Sequence, residues 1–360
     1  MKEFYAVIMA GGKGERFWPL STGAHPKQLI SLFGGVPLVR LAVDRLTGLI
    51  PPDRVFILTT ADLADAVREA VPGVPADQIV GEPVGRDTAA TVALGAALVG
   101  QRGVDAAFCV LTADQLMSDL DRFRQTLRSA LDLALESNML ITIGMAPAYP
   151  STGFGYVEAG ERVRERDGIV FFRAKRFVEK PDRARAESYL ASGSYYWNSG
   201  MFVWSVDAIR KALAAHAPRL EAMSRRLQAI PRGAAFDAAL SEEFGRLPKI
   251  SIDYAVMEKV PAFWMARGDF GWDDVGTWLA LENHFPKDAA GNVRIGEVEA
   301  LDAKGNIVVS EGRLTALVGV ENLVVVQADG VTLVCARDRA QDVRQVVQSL
   351  REGGRHGRLL

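Results

Sequence analysis

Cysteine and histidine are scarce in this chain, with two of the first and four of the second among 360 residues. Cys109 and Cys335 stand far apart, each in an apolar, strand-like run, which leaves no disulfide framework and no zinc site. Buried free thiols of this kind fit a reducing compartment. His25, His216, His284 and His356 belong to no His-Glu-x-x-His pattern, there is no serine nucleophile elbow, and no cysteine–histidine constellation stands out, so covalent catalysis is not expected. Long apolar runs are missing as well. No stretch reaches the length that spans a bilayer, and Met1-Lys2-Glu3 leads straight into a short strand without the apolar segment of a secretion signal. The expectation is a cytoplasmic chain with no membrane partner. An excess of charge of either sign is also lacking. The net charge of -2 argues against nucleic acid as a partner, so a polyphosphate ligand must be met by a local cationic cluster rather than by a basic surface.

What is present is ordinary globular material, 49% apolar and 24% charged, in a chain long enough for two domains or for one large α/β unit with an appendage. Phe4 to Met9, Val55 to Leu58, Gln78 to Val80, Ala106 to Leu111 and Met139 to Ile143 read as buried strands. Helical stretches alternate with them: Pro37 to Ala42, Ala61 to Ala70, an alanine-rich Thr88 to Val99, and the Leu120, Phe123, Leu127, Leu131, Leu135 face. That alternation predicts an α/β fold with a doubly wound, mainly parallel sheet. Strands at Gly155 to Glu158, Ile169 to Val178 and Met201 to Trp204 suggest a mixed substrate lobe, followed by helical residues Arg210 to Ile230, Phe236 to Phe244 and Ile252 to Lys259. From about Phe285 the texture turns to short β runs at Asn306 to Val309, Leu314 to Val318, Leu323 to Gln327 and Val331 to Ala336. A closing helix spans Ala340 to Leu350, with Val343, Val346 and Val347 on one face. The expected boundary puts a catalytic domain at 1–284 and a small β-rich domain at 285–360, with no 20–50-residue repeat in view.

The first strand breaks into Gly11-Gly12-Lys13-Gly14-Glu15-Arg16-Phe17-Trp18-Pro19-Leu20, with Pro26-Lys27-Gln28 close behind. Glycines let backbone N–H groups approach an anion, and Lys13, Arg16 and Lys27 can meet several phosphate oxygens. This is not a Walker A loop, because no Gly-Lys-Ser/Thr ends it. Nor is it a dinucleotide fingerprint, because Phe17 replaces the third glycine. In an open sheet ligands gather past the carboxyl ends of strands, where Gly11 to Arg16, Glu82 and Asp114 all lie.

The loop with its Pro-Lys-Gln extension resembles the signature of the sugar-1-phosphate nucleotidylyltransferases, most closely the mannose-1-phosphate guanylyltransferase branch. Phe177-Val178-Glu179-Lys180-Pro181, Trp197-Asn198-Ser199-Gly200-Met201 and Ser151-Thr152-Gly153-Phe154-Gly155-Tyr156 are similar to its sugar-phosphate elements. The resemblance covers roughly the first 280 residues. It implies a Rossmann-like nucleotidyltransferase fold with a C-terminal partial left-handed β-helix that helps to pair subunits, hence a homodimer. Asp114 follows a buried strand in Leu111-Thr112-Ala113-Asp114-Gln115, where the family has Pro-Ala-Asp-His. Asp274 matches the acid of a family Trp-Ser-Asp-x-Gly-x-Trp motif, with Asp273 in place of the serine. Two such acids can share one magnesium ion.

The implied reaction joins GTP and α-mannose 1-phosphate to give GDP-mannose and pyrophosphate. Arg16 and Lys27 would hold the departing phosphates, and the Gly11, Gly12, Lys13 and Gly14 loop the polyphosphate. Asp114 and Asp274 would hold Mg2+, and Lys180 the incoming phosphate. Glu179, Asn198 and Gly153 would meet the hexose. Glu82 and Thr88 fall to the nucleotide: thymidylyltransferases of this type carry Gln-Pro where Glu82-Pro83 stands, and a carboxylate can accept both donors of the guanine edge. Two alternatives stay open: a glucose-1-phosphate thymidylyl- or uridylyltransferase of the same fold, and a non-catalytic paralogue that senses GDP-mannose.

Overall fold

The computed structural model describes residues 3–12, 14–103, 105–328, 330–354 and 356–360. Its chain divides into two compact units, one of Met1–Gly11, Ala42–Ala113 and Met117–Trp272, the other of Gly12–Leu41, Asp114–Leu116 and Asp273–Leu360.

The first unit is built on a nine-stranded sheet. From edge to edge it runs Ile79–Glu82, Val55–Thr60, Phe4–Met9, Ala107–Thr112, Tyr195–Ser205, Ile141–Met145, Trp264–Gly268, Ile169–Val178 and Tyr156–Arg166. The first four strands are mutually parallel. Their continuous apolar runs follow from burial on both faces. Tyr195–Ser205 enters antiparallel to its neighbours, and the far half of the sheet is mixed. Thr88–Arg102 is buried around most of its circumference. Gly95 lets it lie against the first strand, because a Cβ there would come within 3.0 Å of the Val7 methyls. Leu120–Ser137 is instead amphipathic, burying Phe123, Leu127, Ala130, Leu131 and Ala134.

The expected helical stretch Arg210 to Ile230 is two helices, Val206–His216 and Pro218–Gln228. Pro218 supplies no N–H to continue the first helix and suits the first turn of the second. The residues expected as a helix at Ile252 to Lys259 form a π-helical turn, Asp253–Met257.

In the second unit Val293–Leu301, Ile307–Val318 and Leu323–Ala328 are parallel, and Val331–Ala336 returns antiparallel. Val293, Ile307 and Val324 stand in register as successive coils, a repeat shorter than 20 residues. Buried Asn292 and Asn306 link the coils, the Asn292 Oδ1 accepting from both nitrogens of Asn306 at 2.9 and 3.0 Å. Ile307–Val318 joins two of the predicted runs through an irregularity opposite Gly296 and Val298. The core of this unit includes Phe17, Trp18, Ile30, Val275, Trp278, Val293, Ile307, Val324, Val343 and Val347. Of the three valines expected on one helix face, Val346 is 43% exposed. The buried stripe follows the four-residue spacing of Val343 and Val347.

Candidate active site

Within the second unit the glycine-rich segment continues into a short 3-10 turn at Glu15–Phe17. Gly14 has φ 62°, and a Cβ on it would fall 2.2 Å from the Cβ of Lys27. Only glycine satisfies both demands. Among the described residues nothing comes within 4 Å of the place a Cβ would take at Gly11 or Gly12. Lys27 is buried, and its ammonium donates to Asp114 Oδ2 at 2.9 Å and to the Asp274 carbonyl at 2.9 Å. It also lies 5.5 Å from the centre of the Phe17 ring. Arg16 reaches the Gly276 carbonyl at 3.4 Å.

Burial pushes the Asp274 carboxyl up to about 6, with Asp273 and Asp114 adding to the rise and Lys27 and Arg16 opposing it. Arg16, Lys27, Asp114 and Asp274 thus form one electrostatically coupled cluster of two cations and two carboxylates. Asp273 has a different part. Burial works against its charge, but bonds from His284, Asn283 and the Val275 N–H outweigh that and hold it below its ordinary value. It is a structural anchor for the turn. The following residue, Val275, is buried at φ 47°, a sparsely populated region for a β-branched side chain.

In the first unit a second cluster assembles on the mixed half of the sheet. The register of Tyr195–Ser205 slips between Asn198 and Phe202, where Gly200 takes φ 74°, a bulge of the kind that re-aims side chains. Asn198 Oδ1 accepts from the Thr142 hydroxyl at 2.9 Å, and its Nδ2 donates to Asp253 Oδ1 at 3.2 Å. The second amide hydrogen has no partner among the described residues. Asn198 N donates to the Gly155 carbonyl at 2.8 Å, and a Cβ on Gly155 would stand 2.5 Å from Glu179 Oε2.

Lys180 follows at φ 45° and pairs with Glu179 Oε1 at 2.5 Å. Burial alone would favour its neutral form, but Glu179, Asp253 and Tyr254 raise its pKa and keep it charged. Burial and then the Glu179 charge push Asp253 up to about 6. Lys180 thus pairs with Glu179 and feels the Asp253 charge as well, so the three groups are electrostatically linked.

Glu82 closes its strand, 6% exposed. Its Oε1 accepts from the Thr91 hydroxyl at 2.6 Å, and burial lifts its pKa to about 7 against that bond. Thr88 opens the next helix after Asp87, whose carboxylate caps it, and the Thr88 hydroxyl accepts from Ile252 N at 2.9 Å. That bond ties the helix start to the segment carrying Asp253.

Residues 5–291 match the family described as Nucleotidyl transferase. The chain belongs to that family. Residues 296–350 of this nucleotidyl transferase match the MannoseP isomerase/GMP-like beta-helix domain. It is 38% identical to the mannose-1-phosphate guanylyltransferase of Klebsiella pneumoniae over 353 residues, 97% of this chain and 74% of that protein. Identity to the enzyme of that name from Escherichia coli K12 is 37% over 361 residues, 98% of this chain and 75% of that protein. A solved structure from Thermus thermophilus, described as mannose-1-phosphate geranyltransferase, superposes with a TM-score of 0.87 at 37% identity, covering 98% of this chain and 100% of that one.

Each unit of the nucleotidyl transferase therefore gathers part of the residue set expected from its sequence. Arg16, Lys27, Asp114 and Asp274 come together in one, and Glu179, Lys180 and Asn198 in the other. Lys13 lies outside the described residues. Gly153 sits exposed, its N–H on the Ser151 hydroxyl; it is Gly155 that stands against Glu179 and Asn198. Sequence reasoning missed Asp253 and Thr91. A lone Asp in Ser251-Ile252-Asp253-Tyr254 carries no motif of its own, although Thr91 does lie one helical turn after Thr88, on the face turned to the strand end.

Proposed function

We propose that the chain transfers GMP from GTP to α-D-mannose 1-phosphate, releasing pyrophosphate. The observation that carries this reading is the Arg16–Lys27–Asp114–Asp274 cluster, in a chain that matches, over 97% of its length, a relative named mannose-1-phosphate guanylyltransferase. The sugar phosphate is already an anionic nucleophile and needs no strong base. What the protein must supply is alignment of attack on the α-phosphorus and cancellation of charge. Arg16 and Lys27 hold the leaving pyrophosphate oxygens, Lys27 releasing Asp114 as it does so. Lys180, kept protonated by Glu179, meets the phosphate of the nucleophile. Glu179 and Asp253 accept hexose hydroxyls, and Asn198 gives its remaining N–H.

Among the described residues no group of three or more His, Cys, Asp or Glu is placed to hold a metal unaided. Asp114 and Asp274 meet on the same ammonium-bearing residue, Lys27, and such a pair suits magnesium, which takes one or two carboxylates and completes its octahedron with waters and substrate phosphates. Asp114 and Asp274 would hold it, and its charge would offset that building on the phosphates.

Glu82 is the proposed guanine reader. Oε1 is shared with Thr91, and Oε2 has no protein partner among the described residues, so both oxygens retain capacity for the N1–H and N2 donors. The same reading carries a homodimer in a reducing cytoplasm. Leu301, Leu314 and Val318 on the coil are each at least 60% exposed, Cys109 and Cys335 are free, and among the described residues no helix is long and apolar enough to cross a membrane.

Pyrophosphate release with GTP, UTP and dTTP, each paired with mannose 1-phosphate and glucose 1-phosphate, tests the substrate choice. The highest kcat/KM is expected for GTP with mannose 1-phosphate. A preference for dTTP or UTP with glucose 1-phosphate would replace this reading with the sister activity.

A further inference from the structure

The turn after Trp272 is held in an unfavourable backbone state by more bonds than a surface turn requires. Val275 is fully buried at φ 47°, a strained state for a β-branched residue that persists only if its surroundings over-determine it. Its neighbours do so. Asp273 Oδ1 accepts from Val275 N at 2.7 Å. Asp273 Oδ2 accepts from Asn283 Nδ2 at 2.8 Å and contacts His284 Nε2 at 3.0 Å. The His284 ring is itself set edge-on against Phe33, 5.4 Å between centres. On the other side of the strained residue, Gly276 leaves no room for a side chain, since a Cβ would lie 2.7 Å from Asp274 Oδ2. The residue enclosed by this clamp is Asp274.

We infer that Asp273 is a positioning residue: through Val275 it fixes the backbone that aims the Asp274 carboxylate, with His284 and Asn283 holding Asp273 in turn. The inference rests on the proposed role of Asp274 as a cation ligand. It assigns Asp273 no contact with substrate. Its sign is specific. Losing the clamp lets Val275 relax toward negative φ and swings Asp274 away, whereas a residue at 275 that tolerates positive φ makes the clamp partly dispensable.

The test is a cycle of Asp273→Ala, Val275→Gly and the double variant, with Val275→Asn as a second tolerant residue should the glycine variant fold poorly. Two quantities are read: kcat for pyrophosphate release, and binding of Mn2+ in the presence of GTP, followed by electron paramagnetic resonance. Thermal melting checks folding. Asp273→Ala should lower kcat at least tenfold and raise the Mn2+ dissociation constant at least tenfold. Against Val275→Gly or Val275→Asn as background, the same substitution should change each quantity less than threefold. Equal losses in both backgrounds, or unchanged Mn2+ binding in Asp273→Ala, would overturn the positioning role. Asp274→Asn separates the two layers. If it leaves both quantities intact, the reading of Asp274 itself fails; if it abolishes both while Asp273→Ala does nothing, only the positioning role of Asp273 fails.

Discussion

Glu82, proposed above to read guanine, is held in the fold at a cost in stability. Its folded pKa of about 7 stands above the ordinary 4.5 because burial disfavours the charge. The sign follows from linkage: an acid whose pKa rises on folding destabilises the protein as pH climbs from about 4.5 to about 7, and the full penalty, up to about 3 kcal/mol, applies above that. Glu82→Gln should therefore raise the melting temperature at pH 8 and change it little at pH 5. The same substitution should weaken guanine recognition. ITP lacks only the N2 amino group, so wild type should prefer GTP by roughly 1–3 kcal/mol in kcat/KM, and Glu82→Gln should shrink that preference. An unchanged GTP-to-ITP ratio would remove Glu82 from base reading. Lys180 gives a complementary case. Lys180→Ala should raise KM for mannose 1-phosphate and lower kcat with the KM for GTP nearly unchanged, and steady-state kinetics with each substrate varied decides it. The Glu179-Lys180-Pro181 triplet stood out in the sequence through its resemblance to a family motif, and its two charged side chains, adjacent in the chain, pair in the fold. Thr91 and Asp253 did not stand out, since each gains its meaning from a partner that only folding brings near, Glu82 in one case and Asn198 in the other.

Among elements, the loop of Gly14 and the segment of Lys27 are fitted to one another by the absence of a side chain. Gly14→Ala would need both φ 62° and a Cβ 2.2 Å from that of Lys27. It should lower kcat/KM for GTP at least tenfold and destabilise the fold by about 1–3 kcal/mol, read by kinetics and urea unfolding. Asp114 and Asp274 are coupled through Lys27, so Asp114→Asn and Asp274→Asn should each remove most activity, and the pair combined little more than either alone. Losses that multiply would mean separate roles. Apolar runs disclosed the strands, and their order along the chain disclosed the parallel half of the sheet. The break at Ala217-Pro218 was written in the sequence as a proline and is plain once the helix start there is recognised. The bulge at Ser199–Met201 was not legible, because it depends on the partner strand skipping from Thr142 to Gly144.

At the scale of the whole molecule, the compact units do not follow the order of the chain: residues 12–41 belong with 273–360. Contacts so distant in sequence leave no periodic trace, whereas the change of texture near Phe285 does, and the two family matches divide between residues 291 and 296. The coil was expected through the family resemblance alone, because its repeat is shorter than the 20–50 residues of the usual arrays and left no period to read. The central claim concerns the molecule as a catalyst, the proposed transfer of GMP from GTP to mannose 1-phosphate. The most direct measurement is pyrophosphate release from GTP and magnesium, followed with and without mannose 1-phosphate while GDP-mannose is quantified. Release is predicted only when the sugar phosphate is present, one pyrophosphate for each GDP-mannose formed. GTP binding without release under either condition, or release that is indifferent to mannose 1-phosphate, would contradict it.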